Sequence, residues 1–362
     1  MASMIQSRAA NIFSDDDEAR TRQLIFVFLR FRADLMLLLC ALFWGGTFVA
    51  IELAVDQMPP YLMVAIRFLV AALCFFPGFL YLRSRTGNQP STDKAPESKI
   101  LSSGFSLSIG PLAGLFLGLI SFAGYGLQTQ GLVYTTPARS AFITQLLVLF
   151  TFPMQIFFLR RRVVNGAYIG LVLVLAGAFF LLGTPEGDNW NKGDWLTIAC
   201  AFSFALLITF LDVFSRRYST ADLTFYQILG TGLAAALASI LGMDDPYLDG
   251  KGSLEFLGQQ KWDLELLLSL TYLSIPATIG TVLIQVRFQK ETSPARASLI
   301  YAMEPVFAGV FAFLILGQFL GWTESLGAAM IVSGVIVSEI LSAKQANHNQ
   351  GSANLKATQN PE

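Results

Sequence analysis

Long apolar runs alternate with short polar segments from residue 35 to residue 341. A helix rising 1.5 Å per residue needs about 20 residues to cross the roughly 30 Å hydrocarbon core of a bilayer. Ten runs approach that length: Leu35–Val55, Pro60–Leu82, Ile109–Gly131, Ser140–Leu159, Val163–Leu182, Trp195–Leu211, Leu223–Leu241, Leu264–Val286, Ala297–Leu316 and Gly321–Leu341. The sixth is the shortest. Lipid offers backbone groups no hydrogen-bond partner, so apolar spans of this length fold as helices. The pattern predicts an all-α membrane protein with ten transmembrane helices. The segments outside them are polar: tails over 1–34 and 342–362, a linker over 183–194, and loops over 83–108 and 242–263. None is long enough for a further domain.

Charge gives the chain an orientation. Of 24 lysines and arginines, only Arg139, Lys192, Lys251 and Lys261 fall on one side of the ten-span layout, and Arg67 lies within a span. The remaining 19 share the other side with both termini. A positive-inside bias of this size places both termini in the cytoplasm of a plasma-membrane protein. A missed helix would have exchanged the sides downstream and erased the bias. The N-terminal tail has an acidic run, Asp15-Asp16-Asp17-Glu18, and no leading apolar core, so it does not read as a cleaved signal. Leu24–Phe31, flanked by arginines, is a weaker candidate for an amphipathic surface helix.

The chain also repeats itself. Thr136-Pro137-Ala138-Arg139-Ser140 recurs as Ser293-Pro294-Ala295-Arg296-Ala297, 157 residues later. The register then holds without a gap: Ile143 meets Ile300, Phe150 meets Phe307, Gly170 meets Gly327 and Gly177 meets Gly334. Apolar helices resemble one another, but a shared Pro-Ala-Arg entry and two matched glycines are specific. The repeat pairs spans four and five with nine and ten, so each half has five helices, over 35–182 and 195–341. Five is odd, so the halves enter from opposite faces. The expected architecture is two five-helix inverted repeats, an arrangement that gives a central site two related gates.

Charge at membrane depth costs about 2.5–3.5 kcal/mol on insertion scales. Arg67 and Glu304, each seven residues into a span, are therefore expected to face a polar cavity or a partner on another helix. The first half has Leu147 where the second has Glu304, and that break in the repeat favours a role beyond architecture. Trp44 and Thr47, Tyr125 and Gln128, and Tyr301 and Glu304 are each three residues apart and share a helix face. Gln145 and Gln285 are isolated amides in apolar runs. These nine residues form the expected solute-binding set: amides and phenols for hydrogen bonds, rings for an apolar part. Taken singly, an amide in a span serves interhelical bonding as readily, at about 0.6 kcal/mol. A buried carboxylate can also exchange a proton, which makes protons a possible coupling ion. Gly114-xxx-Gly118 and Gly166-xxx-Gly170 are expected packing faces, and Pro153, Pro276 and Pro305 are candidate hinges. Cys40, Cys74 and Cys200 have no metal spacing and read as small core residues.

Residues 35–341 resemble the drug/metabolite transporter superfamily, in its EamA branch. The resemblance is carried by Leu42-Phe43-Trp44-Gly45-Gly46-Thr47-Phe48-Val49-Ala50, by Pro59-Pro60 with Ala65-Ile66-Arg67-Phe68-Leu69, by the two Pro-Ala-Arg entries, and by Glu304-Pro305-Val306-Phe307. It implies a ten-helix secondary carrier that exports amino acids, metabolites or drugs; related branches carry nucleotide sugars or sugar phosphates. The family commonly closes spans four and nine with Gly-Glu. Here Arg160-Arg161 and Gly317-Gln318 stand there, so no role of those glutamates carries over.

Other classes fit poorly. A net charge of −1 argues against nucleic acid as a partner. The single histidine, His348, is in the tail, and no Gly-rich phosphate loop is present, so neither an enzyme nor an ATP-driven pump is expected and no cofactor is implied. A non-transporting scaffold or sensor remains the alternative. Substrate, direction of transport and oligomeric state are not legible in the sequence.

Overall fold

The computed structural model describes residues 32–47, 49–51, 54, 57–86, 109–135, 137–182, 190–244, 248, 252–317, 319 and 321–359. The acidic run and surface-helix candidate of the N-terminal tail, along with Gln318, lie outside them, as does the side chain of Arg139. Helix α1 runs Arg32–Ile51. It is followed by α2 (Pro60–Thr86), α3 (Ile109–Leu132), α4 (Pro137–Thr144), α5 (Leu146–Phe157), α6 (Asn165–Leu182), α7 (Lys192–Ser215) and α8 (Thr220–Ala238). Then come a short α9 (Ser253–Gln259), α10 (Leu264–Ser274), α11 (Thr281–Phe288), α12 (Pro294–Tyr301), α13 (Glu304–Leu316) and α14 (Trp322–Gln359). The molecule is all-α.

Among the described residues, nine helical stretches are long and apolar enough to span a bilayer. They match nine of the ten expected runs, with α4 and α5 forming one stretch, α10 and α11 another, and α12 and α13 a third. The remaining run is the fifth, whose apolar part, Asn165–Leu181, falls short. The sixth, expected to be shortest, is a full 24 residues as α7. Its polar ends hid its length. Asn191 and Asp194 form a capping box that starts the helix before the first apolar residue.

Two large hydrophobic clusters, beside a smaller one around Met58, Leu62 and Leu266, organise the bundle, and each draws on both halves of the chain. One joins α1, α5, α6, α12 and α14 around Val148, Val174, Ile300 and Ile331. The other joins α2, α3, α8 and α11 around Phe68, Leu117, Ile228 and Val286. Helix α7 contributes to both, through Ile208 and Leu211 respectively. Cys40 and Cys200 are buried as expected, but Cys74 is exposed on the outer surface of α2.

The glycine faces set the closest approaches. A Cβ on Gly114 would lie 2.7 Å from the Tyr226 Cβ, and one on Gly118 would lie 2.7 Å from the Gln227 carbonyl, so α3 packs backbone-close on α8. A Cβ on Gly170 would lie 2.8 Å from the Gly334 carbonyl, and one on Gly177 would lie 2.7 Å from the Gly327 carbonyl. The second contact is the first with each residue replaced by its repeat mate. Helices α6 and α14 are therefore equivalent elements crossing antiparallel, which is the signature of an inverted repeat.

Both halves also break their fourth helix at the same register. In the first half the break is at Gln145, whose N–H is shared between the Ala141 and Phe142 carbonyls. Val148 then donates to Gln145 three residues back. The mate of Gln145 is Ala302, where α12 ends, and Met303 donates to Ile300, again three residues back. A tightened turn inside a long helix marks strain or a functional hinge. Pro305 opens α13 just after this break, and Pro276 lies in a π-helical turn over Ile275–Gly280. Pro153 does not act as a hinge: it lies inside an unbroken α5, eight residues beyond the break.

Candidate functional site

Arg67 is placed by α2 and is buried. A guanidinium at this depth needs acceptors, and the π-helical turn between α10 and α11 supplies them. A π turn widens the helix and loosens its carbonyls from their usual partners. Arg67 Nε donates to the Leu273 carbonyl at 3.1 Å and to Thr278 Oγ1 at 2.8 Å, and one terminal nitrogen donates to the Ala277 carbonyl at 3.1 Å. The rings of Phe68 and Tyr125 cover the guanidinium carbon at 5.3 and 5.2 Å. Arg67 thus holds the first half of the chain to the third helix of the second.

Glu304 is placed by the break in the ninth span. It is the first residue of α13 and is half-buried. Among the described residues, no side chain or backbone group hydrogen-bonds its carboxylate. Arg67 influences it electrostatically, but the two form no ion pair. Its open side is a cavity.

That cavity has a volume of about 580 Å³. Eight of the nine sequence-selected residues line it: Trp44, Thr47, Arg67, Tyr125, Gln128, Gln285, Tyr301 and Glu304. Gln145 does not; it is buried at the helix break. The sequence reading missed Ser121, Thr144, Gln227 and Thr278, which also line the wall. A signal was available. At the repeat offset of 157, Ser121 pairs with Thr278, Gln128 with Gln285, Thr144 with Tyr301 and Leu147 with Glu304. All eight members of these pairs line the cavity, so it lies where the two halves face each other.

Several polar groups of the wall are already engaged. Thr47 donates to the Trp44 carbonyl at 2.7 Å, and Gln128 donates to Thr144 at 3.4 Å. The Tyr301 hydroxyl turns away to Gln289 at 3.1 Å, leaving its ring against Trp44 with centroids 5.1 Å apart. Two buried atoms of the wall have no partner: Trp44 Nε1 and Gln227 Oε1.

The six ion pairs among the described residues all gather at one end of the bundle, in three clusters. Arg296 meets Asp34 and Glu339. The buried Asp212 accepts from Arg161 at 2.8 Å and Arg216 at 2.7 Å. Glu291 accepts from Arg287 at 2.7 Å and Arg32 at 3.3 Å. These clusters tie the start of α1 and α12 to the middle of α14, and link residues at or just past the ends of α5, α7 and α11.

Fold and site together describe a multi-pass membrane protein of two inverted halves enclosing a cavity with polar groups set in a largely apolar wall. The family model of the EamA-like transporter family matches residues 31–183 and again 191–339. The chain belongs to this family. Among its relatives is an uncharacterized transporter of Archaeoglobus fulgidus, 28% identical over 311 residues, spanning 85% of this chain and 86% of that one. Proteins of Salmonella typhimurium and Escherichia coli, each named a probable amino-acid metabolite efflux pump, are 26% identical over 306 residues, or 83% of this chain and 92% of theirs. A crystal structure 20% identical in sequence shares the fold at a TM-score of 0.66 over 87% of this chain and 98% of that one.

Proposed function

We propose that this membrane transporter is a secondary carrier that exports small organic metabolites, amino acids or drugs across the plasma membrane, with both termini in the cytoplasm. The observation that carries the reading is the cavity, lined by matched residues of two inverted halves and holding a single carboxylate without a hydrogen-bond partner. Two equivalent halves can rock about a fixed site and expose it to each side in turn. The tightened turns at Gln145 and Ala302 supply paired flexing points on either side of the cavity. The relatives named as amino-acid metabolite efflux pumps support the substrate range and direction. Protons are the coupling ion of this proposal, because Glu304 can bind one in place of solute. The test is counterflow of radiolabelled amino acids and aromatic metabolites in proteoliposomes, with and without a pH gradient. Wild-type protein should accumulate at least one solute above empty vesicles, and Glu304→Gln should lose the gradient-driven part. Flux that Glu304→Gln leaves unchanged under both conditions would remove Glu304 from the mechanism.

A further inference from the structure

Arg67 and the π-helical turn that holds it break the repeat together. At the offset of 160 that places Cys40 on Cys200, Arg67 falls on Gln227. At the offset of 157, Thr278 falls on Ser121, which lies inside the unbroken α3. The second half therefore loosens a helix against an arginine, where the first half keeps a regular helix against a glutamine. The oxygens around the guanidinium are also set to accept. Thr278 Oγ1 gives its own hydrogen to the Leu273 carbonyl at 2.8 Å, so its lone pairs are left for Arg67 Nε. Leu273 lies in the last turn of α10, at the negative end of the helix dipole, and the Ala277 carbonyl belongs to the π turn itself. Among the described residues no carboxylate forms an ion pair with Arg67, so its charge rests on these three neutral oxygens. The rings of Phe68 and Tyr125 shield it. Unwound carbonyls and helix C-terminal ends of broken transmembrane helices are the oxygen set that carriers offer to sodium.

We propose that the Leu273, Ala277 and Thr278 oxygens form a monovalent-cation site that Arg67 fills from within. Once the guanidinium is removed, the site takes a small cation from solution. Nε reaches two of the oxygens and a terminal nitrogen the third, so a planar cation meets all three, whereas a sodium ion is a single centre and meets the two that Nε shares. Free guanidinium therefore fits better than sodium. One consequence rests on the carrier reading: with this site filled by the chain itself, transport runs without sodium.

The experiment is thermal melting of the full-length protein in detergent, in choline chloride with guanidinium or sodium exchanged in at about 10 mM, far below denaturing strength. Arg67→Ala should melt lower than wild type in choline. Guanidinium should recover most of that loss and saturate, as mass action requires of a ligand of the folded state, and sodium should recover less. Wild type should respond to neither. Adding Thr278→Val to Arg67→Ala should raise the guanidinium needed for half-recovery about ten-fold, the effect of losing one bond to a charged group. Recovery by neither cation, an equal rise in wild type, or half-recovery that Thr278→Val leaves in place would overturn the inference. If Arg67→Ala does not fold in choline, guanidinium present during purification should restore it, and failure there overturns the inference as well. Proteoliposome flux separates the site from the carrier reading. Wild-type flux should be equal in sodium and choline, and flux lost on removing sodium overturns the consequence drawn for transport. Rescue of melting without flux of any solute overturns the carrier and leaves the cation site.

Discussion

Arg160 and Gly317 are repeat mates, 157 residues apart, and both hold left-handed backbone, with φ of 52° and 67°. Glycine adopts this conformation freely, whereas a residue with a Cβ is strained by about 1–2 kcal/mol. The first half therefore carries a strain that the second half has relieved. Arg160→Gly is expected to raise stability by about 1 kcal/mol, read as a higher melting temperature in detergent; an unchanged or lower value would show that the arginine side chain compensates. At this scale the sequence was informative about charge and silent about partners. Arg67 and Glu304 were conspicuous because charge in a span is costly. That Arg67 would bond to backbone rather than to Glu304 depended on a π-helical turn, and the one local sign of it was Pro276. Gln227 was not singled out in the sequence, although it stands 160 residues beyond Arg67 near the start of the equivalent helix.

Elements were legible where hydrophobicity alone decides and illegible where polar groups do. Nine of ten expected spans recur in the structure, because an apolar run of the right length has no other way to satisfy its backbone in lipid. Lengths failed where caps extend a helix beyond its apolar part, as in α7. Breaks failed where proline was taken as their cause: Gln145 marks a break with no proline near it, while Pro153 sits in a continuous helix. The glycine faces were read correctly, and their strength can be measured. Gly177→Leu forces a side chain against the Gly327 carbonyl at the α6–α14 crossing, where even a Cβ has no room. Overpacking of this kind costs about 1–3 kcal/mol or more, so the variant should show a clearly lower melting temperature and reduced monodispersity in detergent. Gly258→Ala in α9, where nothing lies within 4 Å, should match wild type and serves as the control.

At the scale of the whole molecule, three ion-paired clusters tie one end of the bundle. If α1, α12 and α14 must separate there for the cavity to open, Arg296 has to leave Asp34 and Glu339. Pairs of this exposure contribute about 1 kcal/mol each. Arg296→Gln should then raise the labelling rate of a cavity cysteine, Thr47→Cys in a background lacking Cys40, Cys74 and Cys200, about five-fold when an impermeant thiol reagent is applied from the ion-paired side. The basic-residue bias expects that side to be the cytoplasm. An unchanged rate would show that the pairs do not hold this end shut. The sequence indicated which end carries the basic residues; it could not show that their acidic partners, Asp34, Asp212, Glu291 and Glu339, come from four different parts of the chain.

The α6–α14 crossing has the geometry of contact between two copies of one molecule, since each glycine meets the mate of its partner. A true homodimer built this way would be obliged to carry every cavity residue twice. A carboxylate at the Glu304 register would then come with a second at the Leu147 register of the same cavity, and each would make the other harder to ionise. Fusing the copies into one chain removes that obligation. One half holds Arg67 and Leu147, and the other holds Gln227 and Glu304, so the cavity has a single positive pole and a single negative one. An asymmetric solute can then be held in one orientation through the whole cycle, which no symmetric pair of identical subunits can impose.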